Sequence, residues 1–379
     1  MVKNKKLAYV TYQTFPADTA NSLQTISNII EMANQGIIVE LIFPNRDVNS
    51  TQNIEDLKKY YNFKQNFLLT RTEHNLPFGK YNFFNKFFYH ISHFLWAKST
   101  VSNILTNTDC ETYFTRSDWI FYFLSIKNRH VIFECHQPSK LRNLILKKSL
   151  RNENSKIIFL NSSLKNKYKK SLKFEKNAIV LNNGFRDDLF MKNVKKKSNQ
   201  VVFVGELLRF GLSRNIEFIL SCFEDPRLRE FTLKIVGGPE FYVEELRNKF
   251  KNINNIFFFG RQSHASTINT LLESEIGILV NSNKNIHSTN YTSPLKYFEY
   301  LAARLKIVAI DFESHRNLPY SENILFFQAD NKEMFIKSIL DSYKKNFLEE
   351  KDFKTLSISK RVNNIIRFAR LEGLEPPTL

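Results

Sequence analysis

The chain has 379 residues, which suits two domains better than one core, and its 42% hydrophobic content with 36 Phe and 15 Tyr excludes extended disorder. A formal net charge of +18 lies almost wholly in residues 1–200, so this half either faces a polyanion such as an anionic membrane or nucleic acid, or presents a solvated lysine face. Cys110, Cys135 and Cys222 are odd in number and far apart, which argues against a disulfide framework or zinc ribbon and for a reducing compartment; no apolar run is long enough for a signal peptide or a membrane span.

In chain order, β-branched and aromatic runs predict strands at Leu7–Tyr12, Ile37–Phe43, Glu111–Thr115, His130–Glu134, Ile157–Leu160 and Ala178–Leu181. Helical periods lie between them at Ala20–Gln35 and Leu141–Leu150. The plan recurs with strands at Val201–Val204, Thr232–Val236, Ile256–Phe259, Ile276–Val280 and Lys306–Ile310. Helices are expected near Arg214–Phe223, Val243–Phe250, Thr267–Leu272 and Pro294–Ala303. Such alternation predicts an α/β protein with parallel sheets covered on both faces. Met191–Asn199 is polar and carries neither period, as a linker would. The expected organisation is a first domain over 1–190, a linker over 191–199 and a second domain over 200–345. A C-terminal helix within 346–370 that returns to the first domain and a loose tail at 371–379 complete it. Ligands of open parallel sheets bind beyond the carboxyl ends of the strands, so two such sheets facing each other would enclose an interdomain cleft.

Several chemistries lack their motifs. No two glycines stand at G-x-G or G-x-x-x-x-G spacing, which disfavours an NAD dehydrogenase and a P-loop ATPase. Neither H-E-x-x-H nor G-x-S-x-G occurs, and no aspartates are paired as D-x-D to hold a cation.

The segment richest in chemistry is Tyr291–Ala303, YTSPLKYFEYLAA. Ser293 is a good N-cap and Pro294 suits the first helical position. The amides of Leu295 and Lys296 would then form an anion site suited to a diphosphate. Lys296 in the first turn opposes the helix dipole unless an anion is near. Glu299, one turn on, puts a carboxylate within reach of ribose hydroxyls. The plain alternative is a capped helix packing Leu295, Phe298, Leu301 and Ala302 inward.

The string SPLKYFEYLAA followed by Ile307–Ile310 resembles the donor-binding helix of glycosyltransferase family 4. That resemblance implies the GT-B fold, two Rossmann-like domains with parallel sheets facing an interdomain cleft. It further implies retention of anomeric configuration, a nucleotide-sugar donor as substrate, and no cofactor or metal. Glu299 matches the family's ribose-binding glutamate, whereas Tyr291 stands where the family has its first glutamate. VVFVGELLRFG (Val201–Gly211) is similar to the strand and glycine turn that open the donor domain, which assigns Gly205 to the donor site. There Arg209 is the candidate for the basic residue at the diphosphate, one position before the usual one, with Arg214 as second choice. LKIVGGPE and IFFFGRQ resemble the elements beside the nucleotide base, assigning Gly238 and Arg261, the latter through its backbone. In the first half, FPADTANSLQ (Phe15–Gln24) resembles the loop approaching donor phosphate and acceptor, with Ala20, Asn21 and Ser22 replacing its glycines. FECH (Phe133–His136) resembles the E-x-H element whose histidine lies near the transferred sugar. His136, Arg209 and Lys296 are therefore the catalytic candidates, with Asn21, Ser22 and His136 on the acceptor side.

Lys80–Lys98 interleaves Phe83, Phe84, Phe87, Phe88, Phe94 and Trp96 with basic residues, as an interfacial helix would. With the lysines of 140–197 it suggests an anionic membrane surface as partner and a saccharide or lipid-linked acceptor of cell-surface glycan synthesis. The expected location is cytoplasmic, peripheral on the inner face of the membrane. Nucleic acid is not an expected partner, since no recognised motif for it is present. The competing readings are a non-catalytic subunit that keeps the fold and a nucleotide-sugar epimerase.

Overall fold

The computed structural model describes residues 6–369 except 48, 75, 77–84, 171, 173–175, 193, 210 and 347. They form two compact units: unit 1 runs to Leu181 and resumes at Arg361, and unit 2 is Asn182–Lys360.

Unit 1 alternates strand and helix: β1 (Lys6–Val10), α1 (Ala20–Asn34), β2 (Ile38–Pro44), α2 (Ile54–Tyr61), β3 (Leu68–Thr72), α3 (Asn85–Asn107) and β4 (Thr112–Thr115). It continues through α4 (Asp118–Ile126), β5 (His130–Cys135), α5 (Lys140–Ser149), β6 (Ser155–Phe159), α6 (Ser162–Lys169) and β7 (Ala178–Val180). The strands form one parallel sheet in the order β3-β2-β1-β4-β5-β6-β7. Parallel neighbours require crossovers, and the helices supply them. Side-chain caps start them: Thr19, Ser117, Ser139 and Asn161 each accept from an amide in the first turn. The order reverses between β1 and β4, which marks a ligand-binding position for this sheet. β3 and α4 escape sequence patterning for different reasons. β3 is a half-exposed edge strand without alternation, and α4 (DWIFYFLSI) is apolar nearly throughout and shows no period.

Unit 2 contains β8 (Gln200–Val204), a two-residue hairpin of β9 (Leu208–Arg209) and β10 (Leu212–Ser213), α7 (Ile216–Cys222), β11 (Thr232–Val236), α8 (Glu240–Lys249) and β12 (Ile256–Phe258). Then come α9 (His264–Glu273), β13 (Ile276–Leu279), α10 (Ile286–Asn290), α11 (Leu295–Ala302), β14 (Lys306–Ile310), α12 (Glu313–Arg316), β15 (Leu325–Phe327), α13 (Lys332–Asp341) and α14 (Glu350–Phe353). A last helix, α15 (Ile358–Ala369), belongs to unit 1 from Arg361 onward. The parallel sheet has the order β12-β11-β8-β13-β14-β15, reversing between β8 and β13. Its strands alternate between two cores: Val201, Phe203, Leu233 and Ile235 fill one face, and Val202, Leu279, Ile307 and Ala309 the other.

Two expectations need correction. The stretch 191–199, expected as a linker, lies within unit 2, where Lys196 Nζ donates to the carbonyls of Ser274 and Ala303, both at 2.7 Å. Lys196 thus ties the stretch to the domain, while Lys192, Lys195 and Lys197 are exposed. In the Lys80–Lys98 stripe, Trp96 and His93 are buried and belong to the core of unit 1, Phe87 is exposed, and Lys80, Phe83 and Phe84 lie outside the described residues. The tail at 371–379 also lies outside them.

The approach of α11 to its sheet depends on one missing atom. A Cβ at Gly277 in β13 would lie 2.6 Å from Cδ2 of Tyr300, whose hydroxyl donates to Ile278 O and accepts from Val204 N. Gly277→Ala should therefore push α11 outward and destabilise unit 2 by about 1–3 kcal/mol, read as a lower denaturant midpoint. An unchanged midpoint would contradict this packing.

Candidate active site

In unit 2 the loops after β8, β11 and β12 are fused backbone to backbone. Gly205 (φ +126°) follows β8 and Gly237 (φ +148°) follows β11. A Cβ on Gly237 would fall 1.9 Å from the Gly205 carbonyl oxygen, so no side chain fits. Gly205 N donates to Val236 O at 2.9 Å, Leu207 N to Gly238 O at 2.7 Å and Gly237 N to Gly260 O at 2.8 Å. In front of this bare backbone two cations converge. A point one carbon out from Gly205 lies 3.9 Å from Lys296 Nζ and 4.0 Å from Arg214 Nη1. Lys296 is steadied by the Phe203 ring, 4.2 Å from its centroid, and by Val280 O at 3.4 Å. Asn215, next to Arg214, donates to Asn281 O just beyond β13. Both cations thus stand at the carboxyl ends of β8 and β13, where the strand order reverses.

α11 begins one residue later than expected. Pro294 has extended dihedrals (φ −70°, ψ 123°) and is itself the N-cap, without a side-chain cap bond, so Ser293 does not cap the helix. Instead the Ser293 carbonyl accepts from Asn183 Nδ2 at 2.6 Å. Ser293 Oγ and Asn183 Oδ1 are buried and have no hydrogen-bond partner among the described residues. Leu295 and Lys296 open the helix, so its positive end and the two side-chain cations act in the same region. Glu299 is buried and bonds His264 Nε2, at the start of α9, at 2.8 Å. Tyr291 ends α10, half-buried. The Arg261 side chain lies against Gly238 and pairs with Glu206 at 2.6 Å. The Arg209 side chain lies outside the described residues; among the described ones, Arg214 comes to the same point as Lys296.

In unit 1 the reversal between β1 and β4 holds a second polar cluster. Arg116, immediately after β4, donates to Asn21 O at 3.0 Å, Asn21 Oδ1 at 2.7 Å and His136 Nδ1 at 2.9 Å. Arginine only donates, so His136 Nδ1 accepts and Nε2 carries the hydrogen, which it gives to Glu134 Oε1 at 2.5 Å. Glu134 is fully buried and also accepts from Arg361 of α15 at 2.5 Å and from Gln24 at 3.3 Å. Burial alone would raise its pKa, but Arg361, His136 and Arg116 together hold it well below the usual carboxylate range. Burial, then Arg116, lowers the His136 pKa to about 3, so the ring is neutral. Both its nitrogens are engaged, which suits a hydrogen-bonding, orienting role better than proton abstraction. Ser22 is buried in the α1 cap, its hydroxyl 2.9 Å from Thr19 Oγ1, while Asn21 reaches the surface.

Sequence reasoning missed Arg116, Arg361, Asn183 and His264. Arg116 and His136 could have been paired by asking which residues directly follow adjacent strands; Arg361 carried no such signal. Among the described residues, no group of three or more His, Cys, Asp or Glu is placed to hold a metal, and no helix is long and apolar enough to cross a membrane.

Residues 198–345 match the family model described as glycosyl transferases group 1. No curated protein matches the chain. Among solved structures, a sucrose-phosphate synthase from Thermosynechococcus elongatus aligns over 97% of this chain and 98% of its own, at 13% identity and a TM-score of 0.72. A glycosyltransferase from Rickettsia africae aligns over 98% and 100%, at 16% identity and a TM-score of 0.64. HepE from Anabaena, in complex with UDP and glucose, aligns over 95% and 94%, at 12% identity and a TM-score of 0.59. At these identities the likeness is one of fold: two Rossmann-like α/β domains with parallel sheets, as in GT-B proteins, over nearly the full chain.

The Glu134 cluster makes the stability of unit 1 acid-sensitive. His136 is neutral when folded down to about pH 3, whereas in the unfolded chain it takes up a proton near pH 6.5. Stability is therefore lost as pH falls from about 6.5 toward 3, and Glu134 adds to the loss as pH falls below its unfolded value. His136→Gln, able to donate and accept at the same places, should lessen the slope in that window by up to about 1.4 kcal/mol per pH unit. Both tryptophans, Trp96 and Trp119, lie in unit 1, so tryptophan fluorescence during denaturant unfolding reads it. Equal slopes for wild type and variant would contradict the assignment.

Proposed function

We propose that the chain is a glycosyltransferase that moves a sugar from a nucleotide-sugar donor, with retention of configuration, to a saccharide or lipid-linked acceptor in cell-surface glycan synthesis. The observation that carries this reading is the convergence of Lys296 and Arg214 on the bare backbone at Gly205, in front of the α11 start. Two fixed positive charges, a helix N-terminus and glycine backbone are what a diphosphate requires. Glu299, oriented by His264, would accept from the ribose hydroxyls. The family match over 198–345 and the fold shared with a UDP-bound protein support the same assignment.

In the reaction, the acceptor hydroxyl oxygen bonds to the anomeric carbon as the bond from that carbon to the diphosphate breaks. The proton passes to the departing diphosphate, whose growing charge Lys296 and Arg214 stabilise before water can reorganise. These side chains supply the positive charge, so the reaction is proposed to need no metal. On the acceptor side, Asn21 and His136 would orient the incoming group, held by Arg116 and Glu134. The proposed location is cytoplasmic, in keeping with free Cys110, Cys135 and Cys222.

A thermal-shift screen of nucleoside diphosphates against the full chain tests this. One should bind wild type. Lys296→Ala should weaken it roughly 10- to 100-fold, the worth of a charge-assisted bond, and Glu299→Ala by about tenfold. Unaltered binding by both variants, or no nucleoside diphosphate bound by wild type, would overturn the proposal.

A further inference from the structure

α4 is apolar on both sides although it lies at the surface. Ile120, Phe121 and Leu124 are buried against unit 1. Trp119, Tyr122, Phe123 and Ile126, spaced i, i+3, i+4, i+7, form the opposite stripe; the three rings are half-exposed and Ile126 is 50% exposed. Trp119 and Phe123 pack on Phe94 of α3 at centroid distances of 4.8 and 5.4 Å, so the rings make one patch. α5 packs beside α4, joined to it by Arg142 and Asp118 at 2.5 Å, and adds Leu141 and Leu144, the latter 61% exposed. A helix with apolar residues all round belongs in an apolar medium, and this one meets such a medium on its inner side only.

The margin of the patch is basic. Lys127, Arg129, Lys140, Lys147 and Lys148 are exposed around it, and Asp118, the one acidic residue in the sequences of α4 and α5, is paired with Arg142. We propose that this face docks on an anionic lipid surface, with the outer stripe of α4 entering the interface and the α5 lysines meeting lipid phosphates. A second copy of the chain would set two basic margins against each other. Nucleic acid would match the lysines but leave Ile126 and Leu144 without a purpose. The inference lies wholly within unit 1 and stands independently of sugar transfer.

The test is sedimentation of the full chain with vesicles of phosphatidylcholine containing phosphatidylglycerol, against phosphatidylcholine alone. The chain should sediment with the anionic vesicles and be released in about 1 M salt, where the Debye length is about 3 Å. Tryptophan emission should shift to the blue, reporting Trp119, since Trp96 is already buried. Lys140→Gln with Lys147→Gln and Lys148→Gln should weaken binding by about fivefold per charge. Ile126→Ser with Leu144→Ser changes only exposed positions, so it should keep the wild-type circular dichroism while losing the blue shift. Equal binding to both vesicle types, no binding to either, or wild-type binding by both variants would overturn the proposal. So would self-association without vesicles that Leu144→Ser abolishes, which would assign the patch to a second copy.

Discussion

At the centre of unit 2, the Gly205 carbonyl and the Gly237 α-carbon approach so closely that a single methyl group would separate them. This contact draws the loops after β8, β11 and β12 into one layer and leaves the end of β8 without side chains. Lys296 and Arg214 can then reach the same point from different elements, one from α11 and the other from the turn before α7. Gly277 does the corresponding work beneath α11, admitting Tyr300 and so setting how closely that helix packs on the sheet. Absent side chains therefore position the present ones. The two cations would repel each other, which is tolerable where an anion shares the site.

Unit 1 solves a different electrostatic problem. A buried carboxylate is costly unless paired and hydrogen-bonded, and Glu134 is surrounded by two arginines, a neutral histidine and Gln24. The arrangement settles the histidine tautomer and fixes the ring, because Arg116 occupies one nitrogen and Glu134 the other. It also binds α15 to this unit through Arg361, which further donates to Asn28 of α1 at 2.9 Å. Removing one partner from such a network leaves an uncompensated buried charge, so its members stand or fall together.

Much of this could be read from the chain, and the failures have physical causes. Thr232–Val236 and Lys306–Ile310 have the bounds expected of them, because their buried residues are mostly β-branched. The α11 segment and its charged residues were also legible, since capping and dipole arguments are local. Ser293 misled because a serine before a proline looks like a cap, whereas here the proline takes that position. α4 was hidden by its second apolar face, which erased the helical period. The Arg361–Glu134 pair joins residues 227 positions apart, and no local pattern encodes such a pairing. Arg214 was ranked below Arg209 by motif spacing, and the fold brings it to the same point as Lys296.

Lys296 and Arg214 are proposed to hold a diphosphate between them. Calorimetric titration of wild type and a Lys296→Ala/Arg214→Ala double variant with matched nucleoside mono- and diphosphates tests it most directly. The wild type should strongly prefer the diphosphate, and that preference should disappear in the double variant while weak monophosphate binding persists. Equal affinities for the two nucleotides in wild type, or an undiminished preference in the double variant, would contradict it.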